Sequence, residues 1–158
     1  PVFVRSQRLL PDSGGAGRQR GGPATEVVFG PRHDPMTVSI MGGGTVNPPQ
    51  GVLGGRDANH AYHGHIKEDD SEEFQPNGVM LTLGAGEFVR SIDNGGSGYG
   101  EPRSRSAEAV LEDVVEKFVT RETAAELYGV VLSGKVEDGS LVIDTNATVA
   151  RRAALAEE

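Results

Sequence analysis

The sequence predicts an α+β fold: a glycine-rich, mainly antiparallel strand region followed by a C-terminal helical region. Three observations carry that prediction. Only three of the 23 glycines fall after Gly100, so the backbone punctuation is concentrated in the first 100 residues. There the apolar residues come in short runs with the two-residue period of half-buried strands. Beyond Gly100 they recur three and four apart, the spacing of a helix face. At 158 residues the chain has the length of one domain. Regions 1–100 and 101–158 read as two parts of it.

Each element has a local reason. Val2 to Leu10 alternates imperfectly and is a candidate strand. Ala24 to Gly30 is a second, rich in Val and Phe. In Met36 to Met41, Met36, Val38 and Ile40 share one face while Thr37 and Ser39 take the other. Asn77 to Leu83 and Glu87 to Ile92 suggest a hairpin around Gly84-Ala85-Gly86. Between them Gly42 to Pro76, with its glycine and proline clusters and the acidic run Glu68-Asp69-Asp70, reads as one long loop. Loops of that length are commonly functional. Ser106 to Lys117 is a helix that Ser106 caps, with Val110, Leu111, Val114 and Val115 as its apolar stripe. Thr120 caps a second helix to Tyr128, which Gly129 ends at C′. Val130–Leu132 and Leu141–Ile143 suggest a small hairpin. Asp144 or Thr145 then starts a last helix, Asn146 to Glu158.

Composition excludes several function classes. There is no cysteine, hence no disulfide, thiolate metal site or cysteine nucleophile. A net charge of -8, from 23 acidic and 15 basic residues, argues against a nucleic-acid partner, since phosphate binding rests on Lys and Arg. No apolar run approaches the roughly 18 residues of a membrane span, and Pro1 to Leu10 lacks a signal-peptide layout. No membrane partner and a cytoplasmic location are therefore expected. With aromatics at only 5%, the apolar core looks thin, and a partner surface is expected to cover part of it.

Phosphate-loop, dinucleotide, zincin and nucleophile-elbow signatures are missing, and no catalytic residue is assigned. Three candidates remain. In Pro11 to Gly22 (PDSGGAGRQRGG), Asp12 breaks the strand and Gly14, Gly15 and Gly17 permit close backbone approach, while Arg18 and Arg20 project two apart. They suit an anion or carboxylate clamp, or, as is commoner, structural ion pairs. His60, His63 and His65 are candidate ligands for Zn²⁺, Mn²⁺ or Ni²⁺ with Asp57 or Glu68. The spacing is weak beside Gly64, and a polar surface loop without tightly bound metal is the expectation. In Asp93 to Pro102 (DNGGSGYGEP), Gly96, Gly98 and Gly100 flank Tyr99. A phosphate at the following helix N-terminus would meet Glu101 and Glu108, so a close backbone crossing anchored by Tyr99 is favoured.

Taken in order, these elements resemble the hydantoinase B/oxoprolinase family. PDSGGAGRQRGG is similar to its PDSGG-G-RGG element. Asn94 to Leu132, which opens NGGSGYGEP and ends AAELYGVVL, is similar to its C-terminal signature. Gly54-Gly55-Arg56 fits the family's GGxPG turn only in its first half and runs on into the histidine segment, which puts any standard role of that loop in doubt. The resemblance implies a portion of a B-type subunit working with an ATP-using A-type subunit. It implies ATP with Mg, and a divalent metal (Zn or Mn), for the complex, with no cofactor assigned to this chain.

The leading expectation is a small or accessory subunit of an ATP-dependent ketone carboxylase of the acetone or acetophenone type. An ATP-dependent hydantoinase, 5-oxoprolinase or lactamase acting on cyclic amides is the alternative, and a stand-alone metal- or ligand-binding module is the third. The remaining part of the B-type subunit and the A-type subunit are the expected partners. Pro1, left after removal of an initiator Met, suits a natural small subunit, with a fragment of a longer chain as the other possibility.

Overall fold

The computed structural model describes residues 2–156. Pro1 and the end of the expected last helix, Glu157 and Glu158, lie outside them. In chain order the described residues form β1 (Val2–Leu9), β2 (Thr25–Pro31), β3 (Met36–Ile40), β4 (Tyr62–Ile66), β5 (Glu72–Phe74), β6 (Val79–Leu83), β7 (Phe88–Ile92), α1 (Ala107–Val115), α2 (Arg121–Glu126), β8 (Leu132–Ser133), β9 (Val142–Ile143) and α3 (Thr145–Ala156). Every pairing between these strands is antiparallel. The fold is α+β, as predicted.

The main sheet has the order β1-β2-β7-β4-β5, beside two-stranded sheets β3-β6 and β8-β9. Two expectations are corrected here. The stretch Gly42–Pro76 is not one loop, because β4 lies inside it. Its five residues pair with β7 from Tyr62↔Ile92 to Ile66↔Phe88, and the last three, Gly64 to Ile66, pair with β5 on the other side. A strand reading YHGHI carries a glycine and two histidines in place of β-branched residues, which hid it. A Cβ at Gly64 would meet the Glu72 carboxylate, the end of a flexible side chain.

The second correction concerns the expected 77–92 hairpin. β6 pairs with β3, and β7 sits between β2 and β4. The turn between them passes the chain from one sheet to another. Gly86 adopts φ 80°, and the Gly84 amide donates to the Glu87 carboxylate at 2.6 Å. The hairpin expected near the C-terminus does form, as β8-β9.

The helices start where their caps say, but α2 stops short of its expected end: its C-cap is Leu127, and Gly129 (φ 65°) lies beyond the C′ position expected for it. The Ala109 amide donates to Ser106 Oγ at 3.2 Å, and the Thr123 amide to Thr120 Oγ1 at 3.2 Å. α1 closes in a Schellman arrangement: the Phe118 amide reaches the Asp113 carbonyl at 2.8 Å and the Lys117 amide reaches Val114 at 3.1 Å. Lys117 takes the left-handed position (φ 62°) that glycine more often fills. The Ala147 amide donates to Asp144 Oδ1 at 2.9 Å, so Asp144 caps α3. Of the expected α1 stripe, Val110 and Val114 are buried but Val115 is exposed.

The larger core gathers Val110, Val114, Val119, Ala124, Tyr128, Val130, Leu132 and Leu141 from the helical part. Ala16 belongs to the same cluster. The change of composition near Gly100 is therefore not a gap between cores: the glycine segment after β1 reaches into the helical one.

Candidate functional site

Residues 11–22 leave β1 and return to β2 as a loop with a closed neck. The Leu10 amide donates to the Ala24 carbonyl at 2.9 Å. The buried Ser13 hydroxyl donates to the Leu10 carbonyl at 2.6 Å and accepts from the Ala24 amide at 2.7 Å. Asp12, at φ 58°, turns the chain outward toward the α1–α2 corner. Its carboxylate accepts from the Thr120 amide (2.9 Å) and hydroxyl (2.7 Å), and its amide donates to Phe118. The strand-breaking role read at Asp12 thus extends to holding a helix start 108 residues away.

Three loops, 11–22, 51–59 and 94–100, are sewn together by their backbones. The Gly15 amide donates to the Gly96 carbonyl at 2.9 Å, and Gly96 returns a bond to Gly22. Gln19 and Tyr99 exchange two bonds at 3.0 Å, and the Arg18 amide donates to Gly100. The Arg56 amide donates to Ala16 at 2.7 Å, Gly98 donates to Arg56, and Gly100 donates to Val52. The glycines are required by proximity. A Cβ on Gly21 would overlap the Gly96 carbonyl, and one on Gly98 would overlap that of Ala16. Gly14 and Gly17 are hemmed by backbone atoms of residues 21, 22 and 99 in the same way. Tyr99, 43% exposed, joins the crossing through its backbone.

Two side chains that drew no attention in the sequence complete the lattice. Asn59 accepts from the Gly95 amide at 2.6 Å and donates to the Asp93 carbonyl, and Asn94 donates to Gly44 and to Asn59. An asparagine in a loop is too common a signal to single these out beforehand.

The two arginines part company. Arg20 donates to the buried Asp113 carboxylate at 3.1 Å, and its guanidinium lies 4.9 Å from the Phe118 ring centre. Arg105 donates to the other Asp113 oxygen at 2.9 Å and also to the Arg18 carbonyl. Arg18 itself is exposed and runs over Gly100. Of the two readings, the structural ion pair holds at Arg20, and the two side chains do not form one clamp. Beneath them Tyr128 is fully buried. Burial, and then the Asp113 charge, push its hydroxyl up to about 12.

The histidines do not converge. His60 Nδ1 is 3.1 Å from the Thr45 carbonyl, and His63 Nδ1 is 3.1 Å from Ser91 Oγ. His65 Nε2 is 3.3 Å from Glu87 Oε1 but misaligned, so this buried nitrogen makes no hydrogen bond. Among the described residues no three His, Asp or Glu side chains are placed to share a metal ion. None of their helices is long and apolar enough to cross a membrane.

On the main sheet the buried Glu26 carboxylate takes Arg8 Nε at 2.6 Å and Arg90 Nε at 2.8 Å. These guanidiniums, Arg8 foremost, hold it below the usual carboxylate range. A groove beside the glycine lattice is lined by Arg56, Glu101, Arg103, Glu126 and Leu155. Its charges are already paired in part: Arg103 bonds Glu101 at 3.0 Å and the Leu155 carbonyl.

Residues 1–102 match the family model of hydantoinase B/oxoprolinase. The chain is 36% identical to caprolactamase subunit beta of Pseudomonas jessenii, over 98% of this chain and 26% of that one. It is 25% identical to the acetone carboxylase alpha subunit of Xanthobacter autotrophicus, over 100% and 25%. The crystal structure of the ATP-dependent caprolactamase from the same Pseudomonas aligns with a TM-score of 0.80 at 32% identity, covering 97% of this chain and 26% of that chain. A nucleotide-free acetone carboxylase aligns at 0.78 and 21%, which supports the fold alone. The chain thus spans about a quarter of the length of these relatives.

Proposed function

We propose that this chain, which belongs to the hydantoinase B/oxoprolinase family, is a structural quarter of a B-type subunit in an ATP-dependent enzyme acting on a cyclic amide or a ketone. The observation that carries the reading is what the family-like residues bond to. Asp12, Arg20 and the glycines of both motifs use their polar groups on one another, on residues 52–59, on Asp113 and on the α1–α2 corner. Their work is to hold three loops in one arrangement and to join the sheet to the helices. ATP use would lie with an A-type partner.

Between the two chemistries, the 36% identity to a caprolactamase subunit, against 25% to an acetone carboxylase subunit, favours the cyclic amide. That reverses the order in which the sequence placed them. The test is to replace the matching quarter of caprolactamase subunit beta with this chain and assay the assembled enzyme with caprolactam, or with acetone and bicarbonate, each with ATP. Amide hydrolysis supports the reading, and activity of the isolated chain on any of these substrates would overturn it. The metal-module reading has less support, because the three histidine rings face separate partners.

A further inference from the structure

We propose that the outer edge of β1 is a docking edge that takes up an extended, apolar segment from the other three quarters of a B-type subunit. The proposal rests on the subunit reading above and adds where the contact is made. β1 is bonded to β2 through seven register pairs, and among the described residues no backbone hydrogen bond leaves its other side. All eight of its residues are exposed, Val2 at 55%, Val4 at 51% and Leu9 at 53%. An unpaired strand of that length, with apolar side chains in water, is a template for another strand.

The two edges of this sheet are treated differently. β5, at the far side, has three residues, two of them glutamates, and Glu73 is paired with Lys67 at 3.0 Å. A short, charged edge of that kind refuses further strands. β1 is left long in the same sheet: it opens on the apolar run Val2-Phe3-Val4, is bulged at Arg5 and continues through Ser6, Gln7 and Arg8 to Leu9. Its charges are already answered from within: Arg8 by Glu26 at 2.6 Å, and Arg5 by Asp70 at 3.5 Å and the Phe88 ring at 5.2 Å. Both cations already face an internal carboxylate, and the occupant that matches the exposed Val2-Phe3-Val4 run is apolar. Each relative carries about three times as much chain again beyond the matched quarter, and that chain is the source the proposal commits to.

The experiment compares backbone hydrogen exchange in the isolated chain and in the chimera, caprolactamase subunit beta with its matching quarter replaced by residues 1–158. Amides of Val2–Leu9 that exchange freely in the isolated chain are expected to slow at least tenfold in the chimera. Val2→Lys with Val4→Lys should leave the isolated chain's melting temperature unchanged and lower the chimera's by several degrees. A cooperatively folded chimera in which these amides exchange as fast as before overturns the docking edge and leaves the subunit reading standing. A chimera that fails to fold, where the parent subunit folds, overturns both. Protection that appears in the isolated chain and grows with its concentration assigns the edge to a second copy, and also overturns the proposal.

Discussion

Arg20 and Asp113 stand 93 residues apart in the chain and 3.1 Å apart in the fold. The pair ties the glycine loop after β1 to the last turn of α1. Asp113 is bonded at both ends: its carboxylate takes Arg20 and Arg105, and its carbonyl takes the Phe118 amide that closes the helix. One residue therefore fixes where the glycine lattice sits and where α1 stops.

Removing either end should be costly, with an internal control. Asp113→Ala leaves two largely buried guanidiniums unpaired, and a loss of about 3–5 kcal/mol is expected. Arg20→Ala leaves Asp113 with Arg105, at about 1.5–3 kcal/mol. Arg18→Ala, two residues away and exposed, should stay within about 0.5 kcal/mol. Urea unfolding of the three variants checks the order, and equal losses at Arg18 and Arg20 would contradict it.

The N-caps and the C-terminal hairpin were legible because their signals are local: Ser106, Thr120 and Asp144 act within a few residues of themselves, whereas α2 ends at Leu127, before Gly129. The presence of two glycine motifs that require close contact was legible too. What the motifs touch was not, since Gly15 meets Gly96 and Arg20 meets Asp113 through tertiary placement. β4 was hidden by its composition, and the β6–β7 turn by a loop short enough for a hairpin. Short loops bias the reading toward neighbouring strands, and only the pairing of β3 with β6 shows that the chain changes sheets. The histidine spacing carried no information about ring direction, which the sheet and the Thr45 loop decide.

The glycine lattice gives a paired test in adjacent residues. A Cβ at Gly21 overlaps the Gly96 carbonyl, a backbone atom that cannot swing aside, whereas a Cβ at Gly22 meets nothing within 4 Å. Gly21→Ala is expected to cost several kcal/mol, on the order of an overpacked core site. Gly22→Ala should be neutral, or stabilise by about 0.5 kcal/mol through the unfolded chain. Similar melting temperatures for the two variants would show that the loops can part without cost.

Glu26 gives the acid limb. Its carboxyl is held below the model-peptide value of 4.5 in the folded chain, by Arg8 first, against burial, with Arg90 assisting. The unfolded chain therefore binds the proton more readily, so the stabilisation is complete above that value and is lost as the pH falls through the folded one. Glu26→Gln should melt lower at neutral pH, since hydrogen bonds to charged groups contribute about 1.5–3 kcal/mol each. Its deficit should shrink as the pH falls below 4.5. A deficit that stays constant with pH would remove the charge from the explanation.

Tyr128 gives the alkaline limb, with the opposite sign. Its hydroxyl titrates near 10.0 when unfolded and is pushed up to about 12 in the fold by burial and by the charge of Asp113. Below pH 10 both states hold the proton and stability is flat. Between 10 and 12 the unfolded chain gives it up and the folded one does not, so stability falls with rising pH. Two pH units of difference correspond to about 3 kcal/mol across that window. Because the ring is fully buried, little of this is screened by solvent. Tyr128→Phe keeps the ring and removes the proton. Its melting temperature should fall less steeply between pH 10 and 12 than that of the unsubstituted chain, with Tyr99→Phe as the exposed control that leaves the slope unchanged. If Tyr128→Phe and the parent chain lose stability in parallel across that window, the tyrosine under the Arg20–Asp113 pair is not what limits the fold in alkali.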